Sequence, residues 1–150
     1  ISPKEAKKYI DHYFETYPKI KEFLDGTVAK AKEEGCVRTL YHRRRPVPEL
    51  ASSNFMQRAF GERIAMNSPI QGTAADIMKL AMIAVWKRLL EEAPAARMVL
   101  QVHDELIVEC PEEIAAEVAQ LVSREMEQVA VLNVPLTAEA KWGKSWYDAK

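Results

Sequence analysis

Met98-Val99-Leu100-Gln101-Val102-His103-Asp104-Glu105-Leu106-Ile107-Val108-Glu109 is the stretch whose pattern decides the fold. Two runs rich in Val, Leu and Ile flank three consecutive polar residues, the pattern of two buried strands meeting at a tight turn. That places His103, Asp104 and Glu105 at the tip of a hairpin. A stiff strand pair can hold a carboxylate in one place. Carboxylate oxygens are hard ligands suited to Mg²⁺, which keeps most of its waters and takes one or two carboxylates together with substrate phosphates. Two readings of the tip stand side by side: a metal-bearing carboxylate, or a polar turn that keeps its charges in water.

Before the hairpin, Ser52 or Ser53 can cap a helix running from Asn54 through Asn67. Ser68-Pro69-Ile70-Gln71 then repeats capping-box logic, so a new helix or a strong kink is expected there. The pattern continues to Glu92 with Ile70, Ala74, Ile77, Met78, Ala81, Val85 and Leu89 inward, and Ala93-Pro94 ends it. Gly72, Ala74 and Ala75 leave little bulk on the first turn, which allows another backbone to approach closely. After the hairpin, Pro111-Glu112-Glu113 opens a helix with acids in its first turn, where the macrodipole favours them. Ile114, Val118, Leu121, Val122 and Met126 form its buried stripe. Residues 134–141 read as a last strand, and Trp142, Trp146 and Tyr147 as aromatics that pack a sheet edge.

At the other end, Ser2-Pro3-Lys4-Glu5 reads as a helix start with Ser as N-cap, Pro at the first helical position and Glu closing a capping box. Ala6, Tyr9, Ile10, Tyr13, Phe14 and Tyr17 recur at helical spacing, an aromatic stripe expected in the core. Pro18 should break or kink this helix, a second stripe of Ile20, Phe23, Leu24 and Val28 follows, and Gly35 stops it. Cys36 to Leu40 looks like a short strand, and Arg45 to Leu50, with its two prolines, like an extended segment or edge strand. Between them, His42-Arg43-Arg44-Arg45 is too costly to bury and should face solvent or a phosphate.

With 150 residues, 48% hydrophobic and 29% charged, the chain has the composition of an ordinary globular protein rather than a disordered one. No run approaches the roughly 20 apolar residues that span a bilayer, so no membrane partner is expected. The start, Ile1-Ser2-Pro3, is neither a signal peptide nor an initiator terminus, which suggests an intracellular chain cut from a longer one. Cys36 and Cys110 show no metal-ligand spacing. Net charge is −1 but uneven: Lys30 to Arg63 holds eight bases against four acids, and Asp104 to Glu127 eight acids against Arg124. That asymmetry suits a polyanion on one side and cations on the other, and equally suits ordinary solvated helix faces.

Arg63, Asn67 and Gln71 stand at i, i+4 and i+8 and share one helix face. They give charged and neutral donors at one-turn intervals, suited to the phosphates, sugars or base edges of a nucleic acid. The plainer alternative is a solvated stripe with Gln71 used in the capping box.

The run Gly61-Glu62-Arg63-Ile64-Ala65-Met66-Asn67-Ser68-Pro69-Ile70-Gln71-Gly72-Thr73-Ala74-Ala75-Asp76, followed by Gln101-Val102-His103-Asp104-Glu105-Leu106, strongly resembles the C-terminal part of family A DNA polymerases, the bacterial DNA polymerase I group. The likeness extends from the first helix to Trp146-Tyr147-Asp148-Ala149-Lys150. It implies an α+β fold, long helices packed on a small antiparallel sheet that contains the central hairpin. Residues 1–52 would derive from the fingers and residues 53–150 from the palm. By resemblance, Asp104 looks like the metal-site carboxylate of the third polymerase motif, Glu105 like its supporting neighbour, and His103 like a residue near the primer terminus. Arg63, Asn67 and Gln71 look like residues that touch primer–template DNA, and Arg43, Arg44 and Arg45 lie where the family's chain nears the template.

The first polymerase motif with its metal-binding Asp, the nucleotide-receiving fingers helix and the thumb have no counterpart in these 150 residues. Two Mg²⁺ ions about 3.5–4 Å apart need carboxylates from two places. The chain is therefore expected to serve template-directed nucleotidyl transfer from a dNTP to a primer 3′-OH only with an N-terminal polymerase segment, and to be inactive alone. Its expected setting is the bacterial cytoplasm at the nucleoid. The rival expectation is a non-catalytic nucleic-acid-binding module using the Arg63 face and the arginine cluster. A third is a scaffold without a site.

Overall fold

Ser2 and Glu5 close the capping box: the Ser2 hydroxyl accepts the Glu5 N–H at 3.3 Å and the Glu5 carboxylate accepts the Ser2 N–H at 2.8 Å. That start, with Pro3 at the first position, opens helix α1, Pro3–Thr16. Pro18 does break the helix, and α2, Pro18–Glu34, begins after Tyr17. It ends where Gly35 turns into the left-handed region at φ 68°. The computed structural model describes residues 1–149, so Lys150 lies outside the described residues. Two compact units make up the chain, Ile1–Thr73 and Ala74–Lys150.

In the first unit, β1, Cys36–Arg38, pairs antiparallel with β2, Arg44–Pro46, setting Val37 opposite Arg45 and Arg38 opposite Arg44. The extended segment expected up to Leu50 is instead strand β2 followed by a 3₁₀ turn, Pro48–Ala51, because Pro48 is preset for a first helical position. Helix α3, Phe55–Glu92, follows. Its cap is Asn54, whose Oδ1 accepts the Met56 N–H at 2.8 Å, rather than the expected Ser52 or Ser53. Ser52 sits two residues earlier and accepts the Asn54 N–H. Ala31, Val37, Val47, Leu50 and Ala65 form this unit's core. Gly61 lets the 3₁₀ turn lie against α3: a Cβ there would stand 3.0 Å from the Leu50 nitrogen. Lys32 and Glu62 tie α2 to α3 at 2.7 Å.

The break or kink expected at Ser68 does not end the helix, and Pro69 lies inside one 38-residue α3. An interior proline costs about 3 kcal/mol. Within the first unit, contacts flank the proline: Ala65 is fully buried in the core before Pro69, and the Thr73 hydroxyl after it bonds both the Pro69 carbonyl and the Leu40 N–H.

In the second unit, the later part of α3 buries Ala81, Val85 and Leu89 as its periodicity predicts, with Ile77 and Met78 half-buried, while Ala74, like Ile70 in the first unit, is exposed against expectation. Strand β3, Arg97–Val102, pairs antiparallel with β4, Glu105–Glu109, with a register irregularity at Val99. Helix α4, Ala115–Gln128, buries Val118, Leu121 and Val122. These join Val85 and Leu89 in one core, against which Met98, Leu106 and Val108 of the hairpin pack. The hairpin strands are thus covered on one face and not buried on both, and Leu100 remains 48% exposed. Across α3 and α4, Arg88 pairs with Glu125 at 3.5 Å and Arg124 with Glu92 at 3.4 Å.

Residues 134–141 form no strand; the segment is fastened to α4 instead, with Ser123 Oγ donating to the Ala138 carbonyl at 2.6 Å and Glu127 accepting the Ala138 N–H at 3.1 Å. Two stripes expected to be core are open. Helix α1 has no buried residue, Tyr9 is 69% exposed, and Trp142, Trp146 and Tyr147 are exposed as well. Helical periodicity identifies an apolar face but not whether a partner covers it. Among the described residues, no helix is long and apolar enough to cross a membrane.

Candidate functional site

The hairpin closes through two residues, His103 and Asp104, between the paired Val102 and Glu105. His103 adopts φ 51°, a left-handed conformation that L side chains seldom take. The Gln101 side-chain amide reaches over the turn and donates to the His103 carbonyl at 2.6 Å. His103, Asp104 and Glu105 are all exposed, Glu105 as the first residue of β4. The Asp104 carboxylate accepts no hydrogen bond among the described residues, so both oxygens are open to a ligand. It is one carboxylate, however. Among the described residues no group of three or more His, Cys, Asp or Glu side chains is placed to hold a metal ion. A single open carboxylate falls short of a hard-cation site by itself, since such a cation takes further oxygen ligands from water, phosphate or other carboxylates.

The first unit carries the cationic and amide groups. Because α3 runs unbroken through Pro69, Arg63, Asn67 and Gln71 do share one helical face, and all three are exposed. Gln71 is not used in a capping box, since Ser68 is buried mid-helix; neither Asn67 nor Gln71 has a side-chain partner among the described residues. The Arg63 guanidinium lies over the Phe60 ring at 5.7 Å, which orients the charge without neutralising it. Arg43, Arg44 and Arg45 are exposed at the β1–β2 connection. That connection is ordered: Thr39 donates to the Arg43 carbonyl at 3.0 Å, its hydroxyl accepts the Arg43 N–H at 3.2 Å, and His42 takes φ 62°.

Three residues outside the candidate set shape these surfaces. Gln101 orders the tip, Thr73 bonds the arginine turn to α3, and Gly72 makes room for that turn, since a Cβ there would meet Thr39 Cγ2 at 2.6 Å. Only Gly72 had a signal, the lack of bulk at Gly72, Ala74 and Ala75, and what approaches it is the Thr39 side chain. Burial pushes the Cys110 thiol above its ordinary pKa, which keeps it protonated and a poor nucleophile.

Residues 1–148 match the model of DNA polymerase family A. Over all 150 residues the chain is 52% identical to DNA polymerase I of Caldicellulosiruptor bescii and 51% identical to that of Bacillus caldotenax, covering 18% and 17% of their lengths. It thus spans less than a fifth of the curated relatives it matches. Among solved structures it resembles the POL domain of Pol1 from M. smegmatis, in complex with DNA primer-template and dNTP, at a TM-score of 0.93 and 42% identity, covering 99% of this chain and 26% of that one. With a family match that runs from residue 1 to residue 148, the chain belongs to DNA polymerase family A.

Proposed function

We propose that this chain forms the C-terminal palm and fingers part of a DNA-directed DNA polymerase, with residues 1–52 derived from the fingers and residues 53–150 from the palm. The reaction is nucleotidyl transfer: the primer 3′-oxygen forms a bond to the α-phosphorus of a dNTP as the bond to the β-phosphate oxygen breaks and pyrophosphate leaves. One observation carries the reading, an unpartnered Asp104 at the tip of a two-residue turn within a chain matched by the family model. In it, Asp104 contributes a carboxylate to Mg²⁺ and Glu105 supports that site. His103 lies by the primer terminus. Arg63, Asn67 and Gln71 place the primer–template, and Arg43, Arg44 and Arg45 meet template phosphates. Two bound Mg²⁺ ions would stabilise the attacking and leaving oxygens. The chain's own residues hold and orient the DNA, which lowers the entropic part of the barrier.

A single carboxylate falls short of a two-ion site, so the reading requires a preceding polymerase segment that supplies a second. Two observations support that partner: the relatives are more than five times as long, and apolar side chains such as Tyr9, Phe23 and Trp86 stand half or more exposed. The bacterial cytoplasm, at the nucleoid, is the setting that follows. Single-nucleotide primer extension with Mg²⁺ tests the reading, comparing this chain with a polypeptide that carries the preceding segment as well. Extension by the longer polypeptide only is the expected result. Extension by this chain alone would contradict the shared metal site, and none by the longer polypeptide would contradict the polymerase reading.

A further inference from the structure

Within the first unit, one hydroxyl joins the arginine turn to the helix that carries Arg63, Asn67 and Gln71. Thr73 Oγ1 donates to the Pro69 carbonyl at 2.5 Å and accepts the Leu40 N–H at 2.9 Å from the β1–β2 turn. Beside it, the missing side chain of Gly72 admits Thr39, where a Cβ would come within 2.6 Å of Thr39 Cγ2. Thr39 in turn closes the loop on Arg43 through its N–H and hydroxyl. From Leu40 the chain passes His42 and enters β2 at Arg44, so the attachment at Thr73 lies three residues before the first of the three arginines.

We propose that Thr73 is a positioning residue for polynucleotide binding: it registers the arginine turn against α3 so that the arginines and the Arg63 face meet the phosphates of the same duplex. This rests on the DNA-binding reading given above. A two-stranded ribbon with three residue pairs is marginal by itself. Arginines on an unfastened turn would lose freedom on binding, and a turn ordered beforehand avoids that loss. The task needs a hydroxyl, because only a group that donates and accepts at once serves Pro69 and Leu40 together. Valine has the same shape and does neither; serine does both. The Leu40 N–H lies in an exposed region and can turn to water when the acceptor is removed, so the valine variant keeps the fold.

The test measures affinity for a primer–template duplex across a salt series, using the polymerase polypeptide that contains this chain. Thr73→Val is expected to weaken binding about fivefold, the equivalent of one net hydrogen bond, and to flatten the salt dependence by up to about 0.9 for each phosphate no longer neutralised. Thr73→Ser restores both. Replacing Arg43, Arg44 and Arg45 by Ala flattens the salt dependence further, and adding Thr73→Val to that triple variant changes nothing more, the signature of coupled residues. An unchanged salt slope in Thr73→Val, or a loss that adds in full to that of the triple variant, overturns the proposal. If Arg63→Ala weakens binding while the triple variant does not, the positioning role falls and the helix-face reading stands. If neither weakens binding, the DNA-binding reading falls with it.

Discussion

The side-chain amide of Gln101 donates to the carbonyl of His103 at 2.6 Å, bridging the turn that presents Asp104. His103 is held at φ 51°, a conformation that needs support from its surroundings in a residue with a Cβ. Gln101→Ala removes the bridge and leaves the Asp104 side chain itself untouched. The expected outcome in the polymerase is turnover lower by about tenfold to a hundredfold, the scale of a misplaced catalytic group, with DNA affinity within about twofold of the parent. Single-turnover primer extension alongside duplex binding separates the two. Equal losses in both would contradict a role confined to the tip.

Gly61 tests how tightly the 3₁₀ turn rests on α3. Alanine would gain up to about 1 kcal/mol in helix propensity, while its Cβ would meet Glu49 Cβ and the Leu50 nitrogen at 3.0 Å. Backbone cannot rotate away as a side-chain end can, and overpacking of this kind costs about 1–3 kcal/mol. Gly61→Ala is therefore expected to lower the thermal midpoint by several degrees. An unchanged or raised midpoint in a calorimetric scan would show that the turn yields.

The Glu5 carboxyl is held below its ordinary pKa of 4.5, first by accepting the Ser2 backbone N–H and then by accepting its hydroxyl. A depressed folded-state pKa stabilises the folded form fully above the ordinary value, and that contribution is lost as pH falls through the lowered one. The start of α1 is thus expected to fray in acid below about pH 4.5. Amide exchange at Glu5 and Ala6 across an acid titration reads it. Glu5→Gln should remove the pH dependence, and if the same acid fraying persists in that variant the assignment fails.

The parts of the fold that were legible in the sequence are those determined by neighbours close in the chain. The Ser2–Glu5 box, the breaks at Pro18 and Gly35, and the hairpin turn each depend on a few consecutive residues and each is where the pattern puts it, except that the turn is one residue tighter than the expected His103–Asp104–Glu105 tip because Glu105 pairs with Val102 as the first residue of β4. The capping pattern at Ser68 opens no new helix, and the contact beside it, from the Leu40 N–H to the Thr73 hydroxyl, comes from 33 residues away in the chain. The segment 134–141 alternates like a strand yet finds α4 side chains in place of a strand edge. For the candidate site, i, i+4 spacing was enough to align Arg63, Asn67 and Gln71, since an unbroken helix enforces it. Gln101 and Thr73 were invisible because their partners, a turn carbonyl and a distant amide, are backbone atoms that residue type does not mark.

In the proposed reading, Asp104 supplies one metal-holding carboxylate to a site shared with a preceding polymerase segment. The most direct test of that role is Asp104→Asn in that longer polypeptide, followed by single-nucleotide primer extension and by duplex binding on the same preparation. Asparagine keeps the shape and removes the charge that binds a hard cation. Extension is expected to fall at least about a thousandfold, the scale expected when charge stabilisation of the transition state is lost, with duplex affinity largely unchanged. Near-normal extension would remove Asp104 from the metal site and contradict the account.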